Sequence, residues 1–401
     1  VSRILICLLF AALLQAAQQT AEPPRASDAR EYELATQAAS ASDPEARLKS
    51  LETWRKEYPE TALEPQRRRL EMQAYQSAGR IADAVAAAEK VLEIDDDDFA
   101  AEYLIASLAP AVVGTDPGAA EKGRRAAGRL LKTGIERQFE TRPDGVDAAR
   151  WAEMRRLVEN RARLTLGWAA LQSKDLGEAE RELTTLLEND PNSAQASYWL
   201  ATALLGQKSP EKNDAALFAL ARAAAYEGAG ALPENDRRSV GEYLRKVYAS
   251  YAGTEDGLDE LLALARDQAL PPEDMPRILS KPEREAAAEE ERRRENPELY
   301  AFLDLREALT SERGAAMWAD FRGKVSPEFA LYVVAGEPAQ RPLRLLLASE
   351  SGGEVELVLE LENRRRTPIA AGSRIVVEGV AKELATSPFQ LTLNGGRVLS
   401  R

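Results

Sequence analysis

Between Glu31 and about Leu270 the apolar residues recur every three or four positions, and from about Met317 they recur every second position. The first spacing lines one face of a helix and the second lines one face of a strand. The chain therefore reads as a long helical region followed by a small β region. Asp43-Pro44 predicts a helix start, with Asp as N-cap and Pro in the first turn. Leu48, Leu51 and Trp54 then share a face until Tyr58-Pro59 ends the segment. FAAEYLIASLAPAVV (99–113) reads as a buried helix and Thr115-Asp116-Pro117 as the start of the next, while GTDPG and TRPDG read as loops. KPEREAAAEEERRREN (281–296) has almost no large apolar group and predicts a solvated helix, with an amphipathic helix, ELYAFLDLREALTS, after it. In the β region MWADFRGKVS, EFALYVVA, PLRLLLAS, EVELVLEL, SRIVVEGVA and FQLTLN predict short strands, separated by SGG, NRRRTPIAAG and NGG turns.

Asn160–Ser193 is the most regular helical stretch, a helix–turn–helix unit of 34 residues. Leu166-Gly167 precede Ala170, Ala179, Leu183 and Pro191. Gly167 and Ala179 are small where two antiparallel helices approach closest, Leu183 fills the space beside them, and Pro191 stops the second helix. In order and spacing the unit resembles a tetratricopeptide repeat. A looser copy begins near Pro65, with Met72, Tyr75, Gly79, Ala84 and Ala88 at the matching places. A third, 194–228, aligns Leu200-Ala201, Ala216, Leu220 and Ala223 if the turn carries the insertion GQKSPEKND. ENDRRSVGEYLRKVYASYAG and GLDELLALARDQAL are expected to close the array with a polar outer face. The resemblance implies an α-solenoid that binds proteins.

Composition removes several chemistries. There is no histidine in 401 residues, which excludes His-based acid–base catalysis, Ser–His–Asp and Cys–His arrangements and the commonest zinc sites. The formal net charge is −13, which argues against a general nucleic-acid surface. The sole cysteine, Cys7, offers no disulfide framework. Asp95–Asp98 is read as an acidic turn between helices, because an EF-hand requires ligand alternation, a glycine and a terminal glutamate that this stretch lacks. No phosphate-binding glycine loop is present, and the RRAAGR cluster (124–129) is read as a solvated helix face. Catalytic residues, metal ligands and cofactors are all expected to be none.

Arg3 followed by the apolar run Ile4–Ala17 fits a secretory signal, with an uncleaved N-terminal anchor as the alternative. Either reading implies export, a periplasmic location for the cleaved form and inner-membrane anchoring for the other. The expected domains are 1–21 signal or anchor, 22–30 linker, 31–270 helical repeats, 271–314 charged helical connector, and 315–401 a small all-β domain. Short strands with glycine-rich turns suggest an OB-like barrel. RIVVEGVAKELATSPFQLTL, with GLDELLALARDQALPPEDM upstream, resembles the tail of a group of exported bacterial tetratricopeptide-repeat proteins with a small C-terminal β domain. That second resemblance brings no assigned chemistry.

In tetratricopeptide arrays the first helix of each repeat lines a concave groove. Carried onto this chain, those places are Gln66, Arg69, Gln73 and Gln76; Arg161, Leu164, Trp168 and Leu171; and Gln195, Tyr198, Thr202 and Leu205. Family members that clamp a carboxylate use lysines and asparagines there, and this chain departs from that pattern. The expected partner-binding set is Arg69, Gln73, Gln76, Leu164, Trp168, Tyr198 and Thr202, an apolar and aromatic surface with amides at one end. The competing reading makes Trp168 and Tyr198 ordinary core. The expected function is a non-catalytic scaffold for a protein or peptide partner in the bacterial envelope. No nucleic acid is expected, and membrane contact only through the N-terminal segment. The alternative is an envelope ligand-binding protein, for a glycan or another small polymer, working through the barrel. Arg364–Arg366 fall in a turn there, and Phe329, Tyr332 and Phe389 are not interleaved with basic residues; Phe389 is expected to plug the barrel.

Overall fold

A computed structural model of the chain describes residues 25–400. The expected signal or anchor, 1–21, lies outside them. The chain divides into two compact units, one ending at Ile278 and one beginning at Leu279.

The first unit is a succession of antiparallel helix hairpins: α1 (Ala29–Ser40) with α2 (Pro44–Glu57), α3 (Glu64–Ser77) with α4 (Ile81–Ile94), α5 (Phe99–Val112) with α6 (Ala119–Arg129), α8 (Ala148–Gln172) with α9 (Leu176–Asn189), and α10 (Ala194–Gly206) with α11 (Asn213–Ala225). After α6 the chain passes through a π-helical turn, Leu130–Gly134, into the short α7 (Ile135–Phe139). At the far end α12 (Glu234–Ala252) and α13 (Leu258–Asp267) both pack on α11. Short polar residues start six of these helices. The side chains of Asp28, Asp43, Asp98, Asp147, Asp175 and Ser193 each accept a backbone N–H of the following first turn.

Small residues set how closely the helices meet. A Cβ on Gly167 of α8 would lie 2.6 Å from Leu183 Cγ of α9, one on Gly206 of α10 would lie 2.8 Å from Leu176 Cδ1 of α9, and one on Gly123 of α6 would lie 2.8 Å from Ala109 Cβ of α5. Those crossings join helices within a hairpin and between hairpins, and buried apolar side chains run from Leu34 through Ile278. The stretch 99–150 thus supplies a hairpin of its own. The first helix of the best-patterned repeat starts at Ala148, well before Asn160, because Asp147 caps it there. Its first turns bury Trp151, Met154 and Val158 against the preceding hairpin.

Arg222 on α11 is 2 % exposed and is held by main-chain acceptors. Its Nη1 donates to Ala265 O at 3.1 Å and Arg266 O at 2.5 Å in the last turn of α13, and Nη2 donates to Pro191 O at 2.7 Å beyond α9. The guanidinium also stacks 3.7 Å above the Tyr226 ring. A cation is favoured at those helix C-termini, where unpaired carbonyls concentrate negative charge.

The second unit opens with α14 (Lys281–Glu295), started by a Ser280/Glu283 capping box and burying no residue. The next helix, α15 (Pro297–Thr310), packs on the barrel, and its Phe302 is 0 % exposed. Its ring meets Phe329 at 5.4 Å and Phe389 at 6.2 Å, both edge-on. Residues expected in a connector therefore supply the barrel's plug, and Phe389, half-buried, leans on it. MWADFRGKVS does not form a strand. Its first half falls in α16 (Gly314–Phe321), where Trp318 and Phe321, three apart, meet edge-on at 6.3 Å along one helical face.

The five strands are β1 (Phe329–Glu337), β2 (Arg344–Ala348), β3 (Leu357–Leu361), β4 (Arg374–Thr386) and β5 (Phe389–Ser400). They close in the order β1-β2-β3-β5-β4, with β4 back against β1. Every pairing is antiparallel except β3 with β5. This is the OB-like barrel expected from the alternation, with inward Leu331, Val333, Leu345, Leu347, Leu357, Leu359, Ile375, Val377, Leu391 and Leu393. The NGG expected as a turn lies inside β5. Gly395 has a φ of 59° and Gly396 crosses against the Leu359 side chain, so the strand bends there and continues.

Candidate functional site

The face formed by the first helices of the hairpins holds the residues singled out by the repeat pattern. Tyr198 of α10 is 36 % exposed, and Thr202, one turn on, is exposed with its hydroxyl donating to Tyr198 O at 3.0 Å. Leu164 of α8 is half-buried. Because α8 packs directly on α10, these three sit on adjacent helices. Gln73 and Gln76 are half-buried on α3, which packs on α1, α2 and α4 and so forms a separate region of the face.

Two expected residues are taken up by the fold. Trp168 is 5 % exposed, and a Cβ on Gly123 of α6 would touch its Cζ3 at 3.5 Å. It packs backward onto the preceding hairpin. Arg69 donates from Nη2 to Asp95 at 2.8 Å and from Nε to Asp98, so it ties α3 to the turn before α5. The remaining aspartates of that turn are also paired: Asp97 with Arg129 and Arg137 at 3.0 and 2.7 Å, and Asp96 with Arg129 at 3.4 Å. The acidic run is thus a turn held by arginines. Arg124 and Arg125 of the basic cluster pair with Glu178 and Glu121. Among the described residues, no group of three or more His, Cys, Asp or Glu side chains is placed to hold a metal ion.

One part of this face was not legible in the repeat pattern. Tyr32 of α1 is 68 % exposed and borders a cleft of about 540 Å³ whose walls include Ala35, Thr36, Leu63 and Gln66. Its base is rigid. Buried Glu31 accepts from Ser27 N at 2.6 Å, from Trp54 Nε1 at 3.1 Å and from the Thr61 hydroxyl. Burial pushes that carboxyl up, but these hydrogen bonds outweigh it and set it at about 2. Asp28 at the rim caps α1 and accepts the Tyr58 hydroxyl at 2.7 Å, which pushes that phenol up to about 12. The cleft presents an exposed ring, an amide and apolar walls on a fixed frame, which suits a peptide side chain better than a reaction.

The outward surface of β2 and β3 carries Arg344, Leu346, Val358 and Glu360. Glu360 pairs with Lys382 at 2.8 Å and with Arg344 at 3.1 Å, and Lys382 is the main cause of its lowered pKa. These side chains include no ring on which a base or sugar would stack.

No family model matches this chain, and no curated protein matches it. Several solved structures align with it, TPR proteins among them. A MamA RS-1 ArsTM double mutant is 16 % identical with a TM-score of 0.29, covering 56 % of this chain and 99 % of its own. TTC0263, a thermophilic TPR protein of Thermus thermophilus, is 14 % identical with a TM-score of 0.30, over 54 % and 97 %. The TPR2AB domain of yeast Sti1, solved with pHSP90, is 13 % identical with a TM-score of 0.19, over 60 % and 98 %. At scores this low the superpositions carry no weight, and the hairpins' own geometry establishes the fold: a tetratricopeptide-like α-solenoid followed by a small closed β-barrel.

Proposed function

We propose that this chain is a non-catalytic adaptor of the bacterial envelope, which holds a protein or peptide partner against the first-helix face of its repeats. The observation that carries this is the state of that face. Tyr32, Gln66, Tyr198 and Thr202 stay exposed on helices whose opposite sides are fully packed. Aromatic rings and amides on a rigid scaffold give contact area and hydrogen bonds at little entropic cost. The partner's apolar residues lie over Tyr198 and the half-buried Leu164, and the N-terminal cleft takes a further side chain. Gln73 and Gln76 fix register along α3. Arg69 and Trp168 act through the scaffold, by holding the helices that present the face. Export by the N-terminal segment places the adaptor in the periplasm or on the inner membrane.

The test places a photo-crosslinking phenylalanine analogue at Tyr32, Gln73 or Tyr198 in cells, and at Ile94 as a control off this face. The reading requires one common adduct from the face positions, absent from the control and lost from the Tyr32 and Gln73 positions in a folded Tyr198→Ala/Thr202→Ala chain. Adducts that differ at every position, or a common adduct indifferent to the double substitution, would sink it. The barrel alternative predicts crosslinks from Leu346 or Val358 instead.

A further inference from the structure

Glu102 stands in the first turn of the apolar helix α5 and is 1 % exposed. Neither of its carboxylate oxygens accepts a hydrogen bond. Arg129 Nε approaches Oε1 to 2.9 Å as an ion pair, off the line that a hydrogen bond needs. Oε2 faces Gly134, the last residue of the π turn, where even a Cβ would come within 3.2 Å. A buried carboxylate without donors is costly, and π turns recur at functional sites. Here the two coincide, and Glu102 borders a cleft of about 310 Å³ between α4, α5 and α6, its carboxylate oxygens closed off behind the wall.

The charges of the cleft show what it lacks. Lys122 already holds two carboxylates, Glu89 at 2.9 Å and Asp116 at 2.8 Å. Arg129 is shared among Glu102, Asp97 and Asp96, and Arg125 is paired with Glu121. The cations are therefore spoken for. Glu93, at the exposed mouth, has no partner among the described residues, and Glu102 has no hydrogen-bond donor. The groups left over are both carboxylates, and the walls between them are the side chains of Leu92, Ile105 and Ala126.

We propose that this cleft is a binding site for an aliphatic primary amine, whose ammonium supplies the donors that Glu102 lacks once its carboxylate turns out into the cleft, and whose chain lies along Leu92, Ile105 and Ala126. A diamine places its second ammonium near Glu93. The site is independent of the first-helix face: two of its three walls, α4 and α6, are second helices of their hairpins. Burial pushes the Glu102 carboxyl up to about 7, with Asp97 and Asp98 adding to the rise and Arg129 and Arg137 opposing it. Amine binding therefore requires the ionised form and weakens as pH falls through neutrality.

The experiment is calorimetric titration of the full chain with butylamine and with 1,4-diaminobutane, at about pH 8.5 and about pH 5.5. Saturable binding is expected at the higher pH, stronger for the diamine, and reduced about tenfold or more at the lower pH and in Glu102→Gln. Glu102→Gln removes a buried charge and keeps the side-chain shape, so it is expected to fold. Glu93→Gln should weaken the diamine only. A second measurement needs no variant: the carboxyl ¹³C resonance of Glu102 should titrate at a lower midpoint when the diamine is saturating. No saturation in the millimolar range overturns the proposal. So does binding that persists in Glu102→Gln or at the lower pH, or a Glu102 midpoint that ignores the amine.

Discussion

Arg222→Met tests whether one side chain holds neighbouring hairpins together. The guanidinium makes three hydrogen bonds to carbonyls beyond α9 and at the end of α13, and stacks on Tyr226. Its loss leaves three carbonyls without that donor, at about 1–3 kcal/mol each where they stay buried. The lost stacking adds about 1–2 kcal/mol in a desolvated setting. Methionine fills similar volume and removes a buried charge whose desolvation costs several kcal/mol, which offsets much of the loss. The net expectation is a destabilisation of about 2–4 kcal/mol, concentrated where the acceptors are. Two units make a single global transition an unsafe readout, so amide hydrogen exchange resolved by peptide is the better assay. Protection should fall in 258–267 and around 186–191 and stay unchanged in 29–94. Arg222→Lys, which keeps the charge without the planar fork, should fall between the two. A change below about 0.5 kcal/mol, or a loss confined to α11, would show that the hairpins are held by apolar packing alone.

Gly167→Ala forces a methyl group against Leu183, and should destabilise α8–α9 by about 1–3 kcal/mol despite alanine's better helix propensity. In a double-mutant cycle Leu183→Ala should cost less in the Gly167→Ala background than in the parent; additive effects would mean that the helices shift apart freely. Phe302→Ala removes the barrel's plug and should cost about 3–5 kcal/mol, read as lost exchange protection in 329–337 and 389–400. Unchanged protection there would place Phe302 outside the barrel's core. The Glu31 carboxyl sits at about 2, below its ordinary 4.5, so the stability it contributes is complete above pH 4.5 and lost as pH falls toward 2. The stability gap between parent and Glu31→Gln should shrink across that window, and a gap constant with pH would contradict the assignment.

What could be read from the sequence was local. Gly167, Ala179, Leu183 and Pro191 lie within one hairpin, and their spacing reports one helix pair meeting another. The strand alternation likewise reports an inside and an outside, which is enough for a small barrel. What could not be read depends on residues far apart in the chain. Helical periodicity places Trp168 on a face, but not that Gly123, in the preceding hairpin, makes room for its ring. Arg69 shows no sign in its own segment that Asp95 and Asp98 return to it. MWADFRGKVS fits a period of two about as well as a single helical turn, and its length does not decide. Glu102 does carry a signal in the sequence, as the one charged side chain of FAAEYLIASLAPAVV.

The long helix α8 restricts how this array can change in evolution. Tandem repeats grow and shrink by gain or loss of whole units, which requires a seam where one unit's contacts stop and the next unit's begin. Here α8 buries Trp151, Met154 and Val158 in the N-terminal core and Ala170 in the C-terminal one, so its middle is not such a seam. Excising 34 residues from Asn160 would cut through a continuous helix and strip both cores at once. Variation in repeat number in relatives of this chain is therefore expected on either side of α8, and the helix itself should persist as the invariant centre of the array.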